Sequence, residues 1–142
     1  MERLSYPQQR MLAALFVENV LALTSDDRIA RVVQVAADAT ATADELSMAL
    51  KSARAASFDM HARCGSEGDW REQAGYFVAR AAAAAVTPEL QCKAGGPAWQ
   101  AAMGCRMART SMLIDAGEAT PGDEREQQYR ILSGFLQDAV VN

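Results

Sequence analysis

Apolar residues recur at three- and four-residue intervals along most of the chain, and each such stretch is bounded by residues that start or stop helices. Leu12, Leu15, Phe16, Val20 and Leu23 share one face of a first helix. It begins near Pro7, with Ser5 or Tyr6 at the cap, because proline suits a first turn. Thr24-Ser25-Asp26-Asp27 interrupts the pattern, and Ser25 is a good cap for a second helix. That helix buries Ile29, Val32, Val33 and Ala36, leaves Arg28, Arg31 and Gln34 in water, and frays near Thr40.

Thr42-Ala43-Asp44-Glu45 has the capping-box form, a hydroxyl followed three residues later by Glu. It opens a third helix with Leu46, Ala49, Leu50, Ala53 and Met60 inward, ending near Gly65. Ser66-Glu67-Gly68-Asp69 caps a fourth helix, whose stripe is Trp70, Ala74, Phe77, Val78, Ala81 and Ala85. A short turn after Thr87-Pro88-Glu89 runs to Cys92, and Gly95-Gly96-Pro97 is the clearest break in the chain. Pro97 opens a fifth helix with Trp99, Ala102, Met103, Met107 and Ile114 inward. After a loop at Gly117 to Thr120, Pro121 starts a last helix carrying Ile131, Leu132, Phe135, Leu136 and Val140. The pattern thus predicts an all-α fold, a single domain over 1–142, built as a bundle or array of about six helices with short connections.

Composition strengthens this reading. Ala makes up roughly a fifth of the 142 residues, and Ala is the best intrinsic helix former. Ala and Gly on helix faces (Gly75, Gly104, Gly134) let axes approach closely. Charge then removes some functions. The net charge is -4, and the 14 basic residues are scattered without a stripe that tracks a phosphate backbone, so no nucleic-acid partner is expected. The longest apolar run, Ala81 to Val86, is far too short to span a bilayer, and the Met11 to Leu23 stretch contains Glu18 and Asn19 and lacks signal-peptide flanks. No membrane partner and a cytoplasmic location are expected. Three cysteines (Cys64, Cys92, Cys105) at irregular spacings do not form a disulfide framework.

Candidate chemistry is sparse. His61 is the sole histidine; with Cys64 it makes a His-x-x-Cys pair, half of a four-ligand metal site, and a surface histidine beside a buried thiol is the simpler reading. Di-metal bundles carry Glu-x-x-His motifs on two helices, but here Phe58 and Asp59 stand where the Glu would precede His61. No nucleophile elbow, phosphate-binding glycine loop or H-E-x-x-H is present. No catalytic residue, metal or cofactor is therefore expected.

Carboxylates gather at helix starts: Asp26/Asp27, Asp44/Glu45, Glu67/Asp69/Glu72 and Asp123/Glu124/Glu126. They complement the helix dipole and the orphan N–H groups there. A compatible reading is an acidic surface for a basic partner, with Asp26, Asp27, Glu67, Asp69, Trp70 and Glu72 as partner-binding candidates. Trp70 and Trp99 suit the sealing of a core end better than exposed anchoring. Met103, Met107 and Met112 suit core packing, or alternatively an adaptable groove.

The stretch Met11 to Leu21, then Asp26-Asp27-Arg28, then Val32 to Ala37 resembles a family of Ala-rich, all-helical bacterial proteins. Thr42-Ala43-Asp44-Glu45-Leu46 resembles the opening of that family's third helix, and Tyr76 to Val86 its Ala-rich helix. Glu124, Gln127 or Gln128, Leu132 and Leu136 resemble its last helix, whereas Gly95-Gly96 departs from its pattern. Some members are assigned as immunity proteins of polymorphic-toxin systems. The resemblance implies a non-enzymatic protein-binding domain that neutralises a cognate toxin. The alternative is a scaffold that forms a homo-oligomer through an Ala-rich face such as that of the fourth helix.

Overall fold

Two of the caps read from the sequence, at Ser5 and at Thr42, are present in the computed structural model. This structure describes residues 4–64, 70–91, 95–116 and 123–141, with side chains at 4–62, 72–91, 95–112 and 124–137. Helix α1 spans Tyr6–Asn19 and is capped by Ser5, whose Oγ accepts from Gln8 N at 3.3 Å while Gln8 Oε1 accepts from Ser5 N at 3.0 Å. A 3-10 turn at Leu21–Leu23 leads to α2, Asp27–Ala37. Its cap is Asp26, one residue later than expected, because Asp26 Oδ1 accepts from Arg28 N at 2.9 Å. Helix α3, Ala43–Cys64, opens on the Thr42–Glu45 capping box, with reciprocal bonds of 3.1 and 3.2 Å.

Helix α4 is Trp70–Ala85, α5 is Gly96–Ala116 and α6 is Asp123–Val141, with a 3-10 turn at Glu89–Gln91 between α4 and α5. The turn into α5 needs glycine: Gly95 and Gly96 have φ of 92° and 79°, and a Cβ on Gly96 would strike the Gln9 amide oxygen. The expected cap at 66–69, the loop at 117–120 and the start at Pro121 lie outside the described residues. Six helices and no strand account for the described chain.

Helices α3, α4 and α5 lie side by side with α4 in the middle, and α1 and α2 pack across one side of them. Helix α6 rests on α1 and α5. The core runs through Leu12, Phe16, Val17, Val20, Ile29, Val32 and Val78. All four inward positions expected of α2 are buried, and so are Ala49, Leu50, Ala53 and Met60 of α3. On α6, Ile131, Leu132 and Phe135 pack against the core as expected, but Leu136 is exposed. Leu15 of α1 is exposed as well.

Helix α5 departs most from expectation. It turns Ala98, Ala101, Ala102, Cys105 and Ala108 inward and leaves Trp99, Met103 and Met107 exposed. The reason is how closely it approaches α4. A Cβ built on Gly104 would lie 3.0 Å from the Cβ of Ala81 and 3.3 Å from the Phe77 carbonyl oxygen, so only small residues fit along that line. Gly104→Val is expected to destabilise the protein by about 1–3 kcal/mol through overpacking, even though it removes a mid-helix glycine. Urea midpoints would measure this, and a variant as stable as the parent would rule out so close an approach.

Two buried polar arrangements tie the layers together. Arg10, only 4 % exposed, donates from Nε to the Ala36 carbonyl (3.1 Å) and from Nη2 to the Asp38 carbonyl (2.8 Å), so α1 caps the C-terminus of α2. Glu124 of α6, also 4 % exposed, accepts from Arg109 Nε of α5 and Asn19 Nδ2 of α1, both at 3.3 Å. Gln128 extends this second cluster, accepting from Arg106 Nε at 2.8 Å and donating to the Ala102 carbonyl at 2.9 Å.

Candidate functional site

Among the described residues, the side of α4 that faces away from α1 and α2 is not covered by another helix. It forms the floor of a groove of about 530 Å³, with α3 and α5 as its walls. Tyr76, Phe77, Arg80, Ala81, Ala84 and Thr87 line the floor at the three- and four-residue spacing of one helix face. The α3 wall is the stripe Arg54, Ser57, Phe58 and His61. The α5 wall is Pro97, Gln100, Met103, Gly104 and Met107. From Pro97 to Met107 the groove runs about 15 Å, roughly three helical turns.

Large apolar side chains stand open to solvent along it. Phe58 is 74 % exposed, Met107 46 % and Met103 38 %. At one end the rings are clustered: His61 lies 5.1 Å from Tyr76, Tyr76 lies 5.4 Å from Phe77, and the Arg80 guanidinium sits 5.6 Å over the Tyr76 ring. The lining carries Arg54, Arg80 and His61, and among the described residues it carries no carboxylate. The groove is thus apolar with a cationic α3/α4 side, on a chain whose net charge is -4.

The acidic residues singled out from the sequence lie elsewhere. Asp26 and Glu72 border a second depression of about 410 Å³, together with Met60 and Met112. Asp26 is committed within the chain: besides capping α2, its Oδ2 pairs with Arg28 Nη2 at 2.7 Å, and Arg28 Nη1 reaches Asp59 of α3 at 3.0 Å. These two carboxylates hold the Arg28 guanidinium well above its ordinary pKa, Asp26 being the larger cause. Asp27 is exposed in the first turn of α2. Glu67 and Asp69 lie outside the described residues, as does the side chain of Trp70 at the start of α4. The structure therefore brings Asp26 and Glu72 together but gives the first a structural task.

Of the histidine and the three thiols, only the side chains of His61 and Cys105 are described, and these two do not converge. His61 faces the groove, while the side chains of Cys64 and Cys92 lie outside the described residues. Cys105 is buried on the α5 face toward α1, its Sγ 3.4 Å from the Phe16 carbonyl oxygen, and burial pushes its thiol pKa up, which leaves it unreactive. Among the described residues no three His, Cys, Asp or Glu side chains gather as a metal site would require. No described helix is long and apolar enough to cross a membrane.

Comparison adds no further constraint. No family model, curated protein or solved structure matches this chain. The groove itself was only half legible. Met103 and Met107 were readable as groove residues, but Phe58, Arg54 and Arg80 were not. The available signal was alanine at Ala83 and Ala84, on a helix face where Lys or Glu would have been tolerated.

Proposed function

We propose that this chain is a non-enzymatic protein-binding domain that receives its partner in the groove over α4. One observation carries the reading: a helix face with half-buried Ala83 and Ala84 is left open between exposed Phe58, Met103 and Met107. Exposed aromatic and methionine side chains around a shallow apolar floor are the usual composition of a docking surface, where a few large residues supply most of the affinity. In its most concrete form, suggested by the sequence resemblance, the domain is an immunity protein. It would occlude the active site of a toxin or hold it in an inactive form, and it would need no catalytic group to do so.

Self-association is the second reading, since the half-buried Ala83 and Ala84 of α4 offer the small-residue face it requires. A two-fold interface is isologous, so it would bring Arg54 and Arg80 of both copies into one interface with no carboxylate from the described groove lining. That doubled positive charge favours a different, acidic partner.

Light scattering on the purified protein, alone and mixed with the product of the adjacent gene, tests both readings. A stoichiometric complex is expected, with the protein monomeric when alone. Phe58→Glu and Met107→Glu, each at an exposed site, are expected to leave stability within about 0.5 kcal/mol of the parent. Each is expected to weaken the complex at least tenfold, about 1.4 kcal/mol. A complex of undiminished affinity in both variants would remove the groove from the binding role. A stable homo-oligomer that ignores the neighbouring gene product would favour the scaffold.

A further inference from the structure

Resting on that reading of the groove, we infer that its occupant is a single amphipathic α-helix of a partner protein, acidic along one flank. Three features of the lining specify it. The floor at Ala83 and Ala84 is small, which lets a second helix approach toward the short end of the usual interaxial range of about 8–10 Å. Length agrees, because about 15 Å accommodates roughly three turns.

The walls set the polarity of the guest. Cations lie on the α3/α4 side, at Arg54 and Arg80, while the α5 wall offers Met103 and Met107 and no charge. A guest helix complementary to this surface places Glu or Asp on the flank beside α3, apolar residues on the flank beside α5, and small residues between them. This is helix-in-groove recognition, read by anchors at i, i+3, i+4 and i+7. A small amphiphilic anion fits less well. Pockets for such ligands enclose most of the ligand surface, whereas Phe58 here is 74 % exposed and stands as a rim.

The probe is a fluorescein-labelled peptide of about 14 residues, three to four turns. It carries an Ala/Leu stripe with Glu on one flank, and its counterpart carries Lys at the same positions. Anisotropy titrations against the full-length protein are expected to show the Glu peptide binding at least tenfold tighter than the Lys peptide. The preference is expected to weaken with added salt and to invert in the Arg54→Glu/Arg80→Glu double variant. Circular dichroism is expected to show the bound peptide gaining helix. Equal affinity for the two peptides overturns the inference. Arginine-dependent binding of dodecanoate without binding of the Glu peptide also overturns it, in favour of a small amphiphile. If the Glu peptide fails while Phe58→Glu still breaks the partner complex, the groove docks something other than an acidic helix and only this inference falls. If Phe58→Glu leaves that complex intact, the binding role of the groove falls with it.

Discussion

Arg109→Met is expected to destabilise the protein by about 3–5 kcal/mol, the cost of stranding a buried charge, with α6 the first helix to come away. Glu124 is 4 % exposed, and Arg109 is its only cationic partner among the described residues. Arg109 also donates to the Asn19 carbonyl at 3.4 Å, so its loss loosens α1 and α6 together. Because Arg109 keeps 27 % of its side chain in water, the lower end of the range is the better expectation.

Glu124→Gln should cost less, about 1–2 kcal/mol. It keeps an acceptor for Asn19 Nδ2 and removes the charge that must be compensated. Added to Arg109→Met it should recover part of that variant's loss, since the charge left stranded there is then absent. Thermal melts give the energies, and hydrogen exchange gives the location. Amides of α6 should exchange through an opening well below the global unfolding free energy in Arg109→Met. Equal losses in the two single variants, or an α6 as protected as α4, would show that the cluster does not hold the helix.

How this cluster escaped the sequence reading explains much of what was and was not legible. Glu124 stands in the first turn of α6, and there a carboxylate is fully accounted for by the helix dipole. That it is buried against Arg109 and Asn19, which lies 105 residues away, is a property of tertiary packing. Local chemistry carried well. The Ser5 cap, the Thr42–Glu45 box, the Gly95-Gly96 turn and the inward face of α2 all follow from residues within one or two turns of one another.

Periodicity failed where alanine dominates. Helix α5 carries alanine on the face that packs and bulky Trp99, Met103 and Met107 on the face that does not. Reading size as burial therefore inverted the helix. The physical rule is that the closest helix contacts in this fold, those of α4 with α5, select for the absence of side chain. Large apolar residues are displaced to the rim, and the rim is the candidate site. The same compression hid the groove, because Ala83 and Ala84 look like core residues in a run where Ala82 and Ala85 are core residues.

Arg10→Met is the second large effect, expected at about 2–3 kcal/mol, the cost of leaving the buried Ala36 carbonyl without its side-chain donor and of losing a second charged hydrogen bond at the Asp38 carbonyl, which keeps the Ala41 N–H. Methionine keeps most of the aliphatic stem, so packing against α1 and α2 changes little. What is lost is the pair of bonds to the Ala36 and Asp38 carbonyls, where the α2 ladder has run out of its own N–H donors. Arg10→Lys should recover only part of the loss, because one ammonium does not reproduce two divergent donors.

The turn beyond has its own support. Asp38 accepts from the Thr40 hydroxyl and amide at 2.7 and 2.8 Å, and these bonds, more than nearby Arg10, hold its pKa below the ordinary carboxylate range. A depressed folded-state pKa contributes stability above the unfolded value, about 3.9, and that stability fades as pH falls through the folded one. The Arg10→Met deficit should therefore be fully present at neutral pH, where Asp38 is ionised, and should shrink only slightly in acid, because Arg10 is the smallest of the causes that lower the Asp38 pKa. Urea denaturation at neutral pH measures it, with exchange at the α2 C-terminus as the local readout. Parental stability in Arg10→Met would mean that water satisfies the two carbonyls, and that α1 and α2 are held by Leu12, Phe16, Ile29 and Val32 alone.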